Sequence, residues 1–329
     1  MDLYYCKIDG GNFGDDMNAW FWDELFPDYP EIAPGYTLFG IGSILGKYFL
    51  KDHERVVVMG SGTGYSAFPD DLPGERIYGW VRGPLTTKNL GLKDDRAITD
   101  PAVMCPTLPS FQDLGHARSG RLFIPHVGTE RSDLNWSGVA QRAGLEHLSP
   151  TTEAKQMIRR IARAELVVTE SLHGAIIADA FRTNWVGIAI SPTFSSYKWE
   201  DWAKSMELDL RLAPALRTPK STFAAIKFAR SKLRNPLGTR AGASKTRRLP
   251  KGELQSGGLE YRLKKTEKQA ARGWVSRARP LLERILVRDL RKAAQTKQPL
   301  SDEAVLRARQ AQIMERIEEM RQSLSKADP

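Results

Sequence analysis

The sequence predicts an α/β protein with two Rossmann-like halves that face a cleft, followed by a basic α-helical extension. Three observations support this prediction. Short apolar runs alternate with helical patterns over the first 210 residues. The alternation restarts after Pro106, so that two successive β/α sets are expected. Residues 211–329 contain 29 Lys and Arg but only 11 Asp and Glu, so a strongly basic segment follows a mildly acidic body.

The first half is predicted to contain three strands and two helices. The strands are LYYCKI at 3–8, VVVM at 56–59 and RIYGWV at 76–81. The segment DDMNAWFWDELF at 15–26 is typical of a helix, because acidic residues in a first turn complement the helix dipole. Pro84 and Gly91 have the positions expected for the start and the end of the second helix.

The second half repeats this alternation. Its predicted strands are RLFIPHVG at 121–128, ELVVT at 165–169 and NWVGIAI at 184–190. Its predicted helices are TEAKQMIRRIARA at 152–164 and HGAIIADAF at 173–181. We therefore expect an N-terminal domain over 1–112, a C-terminal domain over 113–234 and a basic tail over 235–329.

The composition excludes several classes of protein. Only two cysteines occur, Cys6 and Cys105, so a disulfide scaffold and a Cys-rich metal site are excluded. No apolar run approaches the ~20 residues that a membrane-spanning helix needs. The N-terminal MDLYYCKIDGG lacks the apolar core of a secretory signal. These features favour a protein of the reducing cytoplasm, with the inner face of the membrane as an alternative place of action.

The basic tail has the pattern of interaction helices. A flexible linker is expected over 235–258, which is rich in Gly, Ser, Lys and Arg. Helical spacing of apolar residues follows over 274–286, and Ser301 is expected to cap a last helix with an apolar stripe from Leu306 to Leu324. The expected partners are an anionic membrane surface or, equally, a second subunit in a homo-oligomer. Nucleic acid is less favoured, because the tail has few aromatic residues for base stacking.

The segment VVTESLHGAIIADAF at 167–181 is the strongest candidate for a functional site. It predicts a strand, a polar turn and a helix, and ligands bind at the carboxyl ends of strands in such folds. Ser171 and Gly174 flank the start of the helix, whose N–H groups are available to an anion. Glu170 is placed to hold the His173 imidazole protonated, as a proton donor requires. The alternative is that His173 only caps the helix.

A second candidate is the glycine-rich turn GGNFGDDMNAW at 10–20. Asn12 and Gly14 lie where the backbone can approach a ligand, and Asp15 can accept a proton from a sugar hydroxyl. Asp16 lies beside it. An equally weighted alternative is that both aspartates cap the helix and complement its dipole.

Four further residues follow strands or turns. Arg82 in WVRGPLT and Lys198 in SSYKWEDW are candidate anion ligands, while Asp100 in ITDPAV and His126 in FIPHVG are candidate polar site residues. Each is also compatible with a surface or turn position. The aromatic residues near Lys198 fit the core better than a sugar platform; they are Tyr197, Trp199 and Trp202.

Taken together, these motifs resemble the polysaccharide pyruvyl transferase family, and most closely its exopolysaccharide ketal pyruvyltransferases of the succinoglycan type. The resemblance spans residues 3–215 and none of the tail. It rests on the order of five motifs: GNFGDDMNAW, WVRGPLT, ITDPAV, ESLHGAIIADAF and SSYKWEDWAKSMELD. Each motif alone is weak, whereas their order and spacing are specific.

The resemblance implies a fold similar to GT-B glycosyltransferases and phosphoenolpyruvate as the donor substrate. The product would be a pyruvate ketal on two hydroxyls of a sugar in an exopolysaccharide or its lipid-linked precursor. No redox cofactor and no metal are expected. Many members carry Arg two positions before the histidine, where this chain has Ser171, so another cation must hold the donor. The candidates for that role are Arg82, Arg121 and Lys198.

The resemblance places family motif residues on His173, Gly14, Asp15, Arg82, Asp100 and Lys198, and the motifs themselves add the other candidates. His173 would be the acid or donor clamp, with Glu170 beside it, and Asp15 the base on the acceptor. The expected donor ligands are Arg82, Lys198, Ser171, Gly174 and His126. The expected acceptor ligands are Asn12, Gly14, Asp16 and Asp100.

Two other functions remain open at this stage. One is a GT-B glycosyltransferase that uses a nucleotide sugar, although the second half has no clear signal for a nucleobase pocket. The other is a non-catalytic body that serves an anion-binding scaffold tail. Donor dependence separates the first from a pyruvyltransferase, and a salt-sensitive shift of DNA by the tail would favour the second.

Overall fold

Two parallel β-sheets form the framework of the protein in a computed structural model, which describes residues 1–64, 74–115, 117–191, 194–215 and 279–325. The first sheet comprises β1 (Asp2–Tyr4), β2 (Thr37–Phe39), β3 (Arg55–Met59) and β4 (Glu75–Trp80). The second comprises β5 (Arg121–Ile124), β6 (Glu146–His147), β7 (Leu166–Thr169), β8 (Asn184–Ala189) and β9 (Ala213–Pro214). The predicted α/β class with parallel sheets is confirmed. Its division into two Rossmann-like, GT-B-like domains stays a prediction.

Helices connect and cover these strands. The first half has α1 (Phe13–Asp16), α2 (Asn18–Leu25), α3 (Lys47–Leu50), α4 (Pro84–Leu90) and 3₁₀ helices at Asp94–Arg96, Pro101–Thr107 and Pro109–Phe111. The second half has α5 (Val127–Glu130), α6 (Trp136–Arg142), α7 (Ala154–Ala162), α8 (Leu172–Ala180) and α9 (Ser196–Ser205). Near the C-terminus follow α10 over 279–293 and α11 (Glu303–Leu324).

The strand order of the second sheet predicts where a ligand can bind. Its strands lie in the order β6-β5-β7-β8-β9, so the order reverses between β5 and β7. Ligands of open parallel sheets bind outside the carboxyl ends of the strands at such a reversal. Residues 125–126 after β5 and 170–173 after β7 lie at this edge. The first sheet runs β1-β2-β3-β4 without a reversal.

The largest hydrophobic cluster contains residues from both sheets. Val57 of β3, Val167 of β7 and Trp202 of α9 are fully buried members of this cluster. The two halves therefore contact each other through apolar side chains. Helix α9 follows β8 in sequence but packs against α4 of the first half. Residues of the second half, such as Lys198, therefore lie beside the first half.

The apolar stripe of the last helix is buried against the body. Leu306, Ile313, Ile317, Met320 and Leu324 are at most 5% exposed and belong to the same large cluster. The Gln310 side chain donates to the carbonyl of Val103 at 2.8 Å. The interpretation of this stripe as a surface for a membrane or a second helix is therefore wrong, because the helix packs against β4 and the 3₁₀ helix Pro101–Thr107.

The segment before α11 is also attached to the body. Ser301 was expected to cap the helix, but Asp302 does so, by accepting from the N–H of Ala304 at 2.7 Å. The Ser301 backbone and hydroxyl instead donate to the buried carboxylate of Asp179 in α8. The predicted linker over 235–258 lies outside the described residues. Within the described residues, no helix combines the length and apolar content required to cross a lipid bilayer.

Candidate active site

His173 and Asp100 face each other at the centre of the candidate site. His173 lies in the first turn of α8, and Asp100 precedes the 3₁₀ helix Pro101–Thr107. The distance from His173 Nε2 to Asp100 Oδ2 is 3.7 Å, and the two side chains are 13% and 1% exposed. Neither atom has a hydrogen-bond partner among the described residues. An imidazole nitrogen and a carboxylate oxygen that face each other without other partners form an acid–base pair that a small shift would join.

The Asp100 carboxylate is fixed by its second oxygen. Asp100 Oδ1 accepts from the N–H of Ala102 at 3.0 Å and so caps the 3₁₀ helix. This helix makes many contacts with α8, which carries His173. The cap therefore leaves Oδ2 directed at the imidazole, and packing of the two helices sets the distance between them.

Position 14, in the first helix, has room only for a glycine because it lies against His173. A Cβ at position 14 would lie 2.1 Å from His173 Nδ1, which is far inside contact distance. The α1 backbone is held in this place because the N–H of Phe13 donates to the carbonyl of Pro150 at 2.9 Å. The predicted close approach at this glycine is thus made to the imidazole of His173.

Asp15 lies next to the same histidine. Its Oδ2 accepts from the Asn12 side-chain amide at 2.6 Å. Burial raises the pKa of Asp15, and the nearby His173, Asn12 and Lys198 oppose this rise. A carboxylate with a raised pKa binds a proton more readily, as a general base for a hydroxyl requires.

Lys198 brings a positive charge to the site from α9. The residue is 9% exposed, and its stem packs so closely on Gly64 that a Cβ there would lie 2.7 Å from Lys198 Cγ. Burial and the neighbouring charge of Arg82 lower the pKa of Lys198 to about 7, while Asp15 opposes the shift. Lys198 is therefore a cation whose charge is easily changed near neutral pH.

Arg82 is held within the protein by three hydrogen bonds. Its Nε donates to Asp201 Oδ2 at 3.0 Å, its Nη1 to Ser43 Oγ at 2.6 Å and its Nη2 to the carbonyl of Thr63 at 2.7 Å. Arg82 is 1% exposed and the Asp201 carboxylate 0%. The expected direct contact with a donor anion stays a prediction. Through these three bonds Arg82 connects Asp201 of α9 to Ser43 after β2 and to Thr63 after β3.

Comparisons with known proteins show the family of the chain. The family model described as polysaccharide pyruvyl transferase matches residues 80–192. The succinoglycan biosynthesis protein ExoV of Rhizobium meliloti (strain 1021) is 42% identical over 225 residues, which cover 68% of this chain and 70% of that protein. The chain belongs to the polysaccharide pyruvyl transferase family. No solved structure matches the chain.

Family membership makes the chain a polysaccharide pyruvyltransferase with a polysaccharide acceptor. The matched residues 80–192 include Arg82, Asp100 and His173. Asp15 and Lys198 lie outside that match. Asp15 lies next to the His173 imidazole, and Lys198 lies next to the Arg82 guanidinium. The candidate site is thus built from α1, α8, α9 and the segment before the 3₁₀ helix Pro101–Thr107.

The contacts of Glu170 correct one sequence-based interpretation. Glu170 was expected to contact His173, but its Oε1 accepts from the N–H of Ile190 at 3.1 Å and its Oε2 from the N–H of His126 at 3.2 Å. Burial raises the pKa of Glu170, and these bonds oppose the rise. Glu170 thus joins the carboxyl ends of β5, β7 and β8, and the carboxylate that faces Nε2 of the imidazole is that of Asp100.

The remaining predicted donor ligands lie around the start of α8 and α5. Ser171 precedes α8, and its N–H donates to Thr169 Oγ1 at 2.9 Å. Gly174 is buried against the same threonine. His126 caps α5 by accepting from the N–H of Gly128 at 3.1 Å. Arg121 starts β5 at the opposite edge of the sheet, where it donates to the carbonyl of Ala294, so it is not near His173.

The predicted acceptor ligands near α1 also stabilise the local fold. The Asn12 N–H donates to Asp16 Oδ2 at 2.7 Å, so Asp16 closes the turn as its alternative interpretation expected. Asn12 precedes the helix, and its side chain orients Asp15. Asp100 faces His173 Nε2, whereas Gly14 lies against Nδ1. The expected role of Asp100 as an acceptor ligand stays a prediction.

Sequence reasoning missed Asp201 and Tyr197 as organising residues of the site. The Tyr197 hydroxyl bonds to Thr63 Oγ1 at 2.9 Å and donates to the carbonyl of Leu85 at 2.8 Å. Trp199 and Trp202 are buried, which confirms their expected place in the core. The signal for Asp201 was its position in an aromatic-rich helix. A charged side chain that is buried in such a segment needs a partner, which here is Arg82.

Proposed function

We propose that this enzyme transfers pyruvate from phosphoenolpyruvate to two hydroxyls of one sugar in an exopolysaccharide or its lipid-linked precursor. The products would be a pyruvate ketal and inorganic phosphate. The arrangement of His173 between Asp100 and the Asp15 turn, with Lys198 near Asp15, carries this proposal. This grouping of an imidazole, a carboxylate and an ammonium supports the proposal, because the reaction would need a proton donor, a base and a cation.

The proposed first step is addition of the acceptor to the donor double bond. The imidazolium of His173 protonates the methylene carbon, which makes C2 an oxocarbenium-like electrophile. A sugar hydroxyl attacks C2 while the Asp15 carboxylate takes its proton. In this proposal Asp100 stabilises the charged imidazole and keeps its Nε2 oriented.

The proposed second step closes the ketal. The C2–O bond to the phosphate breaks, and the second hydroxyl of the same sugar attacks C2 and gives its proton to the departing phosphate. The proton that Asp15 took from the first hydroxyl returns to His173. Phosphate leaves as HPO₄²⁻, so one proton has moved to the new methyl group and one to phosphate. The step needs no oxidant or reductant, and the proposal includes no cofactor.

The division of labour between the two halves is part of the proposal. Residues 1–112 would bind the acceptor through the Asp15 turn, and residues 113–234 would bind the donor beside α8. Lys198 would contact the donor phosphate or carboxylate, because it is a buried lysine whose charge acts on the Asp15 carboxyl. Arg82 would act through Lys198, whose ammonium it disfavours.

Mass spectrometry of a native oligosaccharide acceptor tests the proposed reaction. Incubation with the enzyme and phosphoenolpyruvate should add one pyruvyl ketal per modified sugar and release one phosphate. A nucleotide-sugar donor under the same conditions should give no product. Release of a nucleotide, with no phosphate release from phosphoenolpyruvate, would contradict the proposal and favour a glycosyltransferase.

Replacement of Lys198 tests the assignment of the donor ligand. Lys198→Met should raise KM for phosphoenolpyruvate by about 10- to 100-fold, since a charge-assisted hydrogen bond is worth about 1.5–3 kcal/mol. Because the pKa of Lys198 is lowered to about 7, the parent enzyme should lose donor affinity as pH rises through 7. The variant should lack this loss, and initial rates from pH 6 to 8.5 measure both effects.

Lys204→Met is a matched control on the same helix, because Lys204 is exposed. It should keep the parent donor KM and its pH dependence. An unchanged donor KM in Lys198→Met, with weaker binding of the acceptor instead, would assign Lys198 to the acceptor.

A further inference from the structure

Helix α10 has a basic stripe on its exposed side. Its buried side packs Leu286, Leu290 and Ala293 against the second sheet. The exposed side carries four cations at helical spacing, and we call these residues the basic stripe: Arg284, Arg288, Arg291 and Lys292. Arg142 of α6 borders the same shallow groove. The stripe takes no part in the site around His173.

Few negative charges remain to neutralise this surface. Glu283 accepts from Arg142 at 2.8 Å and from Arg279 at 2.9 Å, so it is shared by two arginines outside the stripe. Asp289 contacts Arg288, whose side chain is nevertheless 72% exposed. Among the described residues, those that line the groove include no acid and no aromatic side chain. The surface therefore suits an anionic partner but offers no platform for stacking a base or a sugar ring.

One exposed aliphatic residue adds a second chemical feature. Leu281 precedes the stripe on the same side of α10 and is 63% exposed. In sequence, α10 also follows residues 216–278, which contain 17 Lys and Arg and only 3 Asp and Glu. Cations that flank an exposed apolar side chain are characteristic of helices that lie on a membrane surface.

The two ends of α10 show how the basic stripe is oriented relative to the candidate active site. Glu283 near its start accepts from the N–H of Asn135, which follows the carboxyl end of β5. The carbonyl of Ala294 after its end accepts from Arg121, which starts β5. Leu281 therefore lies toward the edge of the sheet that carries His173, and the stripe runs down the side of the second sheet.

We propose that the basic stripe and Leu281 dock the enzyme on an anionic phospholipid surface. The arginines and the lysine contact the headgroups, and Leu281 enters the interface. This binding is independent of catalysis, so its test does not depend on the reaction. In this proposal the basic stripe of α10 faces the membrane, whereas the apolar stripe of α11 is buried against the body.

Vesicle co-sedimentation of the full chain tests this proposal. The probe is a vesicle of 30% phosphatidylglycerol in phosphatidylcholine, with pure phosphatidylcholine as the neutral comparison. Each cation near an anionic surface strengthens binding about fivefold. Reversal of three charges, in Arg284→Glu with Arg288→Glu and Lys292→Glu, should thus lower the partition coefficient at least 10-fold. Higher salt should weaken binding of the parent protein.

A variant of equal net charge provides the control. It carries Lys88→Glu, Lys204→Glu and Arg307→Glu, which are exposed positions on other helices, and it should bind within threefold of the parent. Equal binding by both variants would overturn the proposal, because residues outside the stripe would then hold the vesicle. Binding of the parent to an acidic polysaccharide but not to vesicles would overturn it as well.

A fluorescent label gives a local readout that does not depend on net charge. An environment-sensitive fluorophore on Leu281→Cys, in a Cys6→Ser background, should shift to the blue with anionic vesicles. The same label on Met314→Cys, which is 47% exposed on α11 in the parent, should not shift. An unchanged spectrum at position 281 on vesicle-bound protein would overturn the docking geometry.

Discussion

His173→Ala is expected to lower kcat for pyruvyl transfer by about 100- to 10,000-fold, the range typical for loss of a general acid. The imidazole is the group that Asp100 faces at 3.7 Å and that the Gly14 backbone abuts. Phosphate release from phosphoenolpyruvate in the presence of acceptor measures the loss. The KM for the donor should change much less, because Lys198 is proposed to hold it.

His147→Ala is the control for this variant. His147 bonds to Glu130 and Ser137 beside α6, and none of these residues belongs to the proposed site. Its kcat should stay within threefold of the parent. If a folded His173→Ala enzyme also stays within threefold, His173 is not the acid.

Asp100→Asn separates positioning from acid catalysis. The amide keeps the shape of the side chain and its cap on Ala102, but it loses the negative charge opposite the imidazole. We expect kcat to fall by about 10- to 100-fold with donor and acceptor KM within twofold. A loss of acceptor affinity without a change in kcat would instead return Asp100 to the acceptor-binding role expected from the sequence.

The sequence predicted the strand ends of the site well, because that prediction depends on local patterns. The runs at 56–59 and 165–169 became β3 and β7, and the helix after His173 became α8. The short strands β2, β6 and β9 were missed, since they have two or three residues and too few positions to show a period.

The partners of the polar residues could not be read from local spacing. Glu170 lies three positions from His173, yet it joins strand ends, whereas Asp100 lies 73 positions away and faces the imidazole. The apolar period of α11 similarly predicted a helix with one buried side but not the surface that buries it. Both outcomes depend on long-range packing, which periodicity does not encode.

Asp201→Ala is expected to be the most destabilising substitution near the site. The Asp201 carboxylate accepts from Arg82 Nε, from the N–H groups of Leu85 and Thr86, and from Thr86 Oγ1, at 2.6–3.0 Å. It thereby caps α4 from another helix, and Gly83 is required because a Cβ there would lie 2.1 Å from the Asp201 carbonyl. Removal of the carboxylate leaves a buried guanidinium and two helix N–H groups without their acceptor.

Loss of one partner from a buried ion pair lowers the free energy of unfolding by about 3–5 kcal/mol. Asp201→Ala should therefore unfold at a lower urea concentration than the parent. Asp209→Ala is the matched control. Its carboxylate pairs with Arg211 at the surface with 69% exposure, and such pairs contribute at most about 1 kcal/mol. Arg82→Met combined with Asp201→Leu should recover part of the loss, because no buried charge then remains. An Asp201→Ala protein that unfolds at the parent midpoint would mean that water replaces the carboxylate, and that the two halves do not depend on this pair.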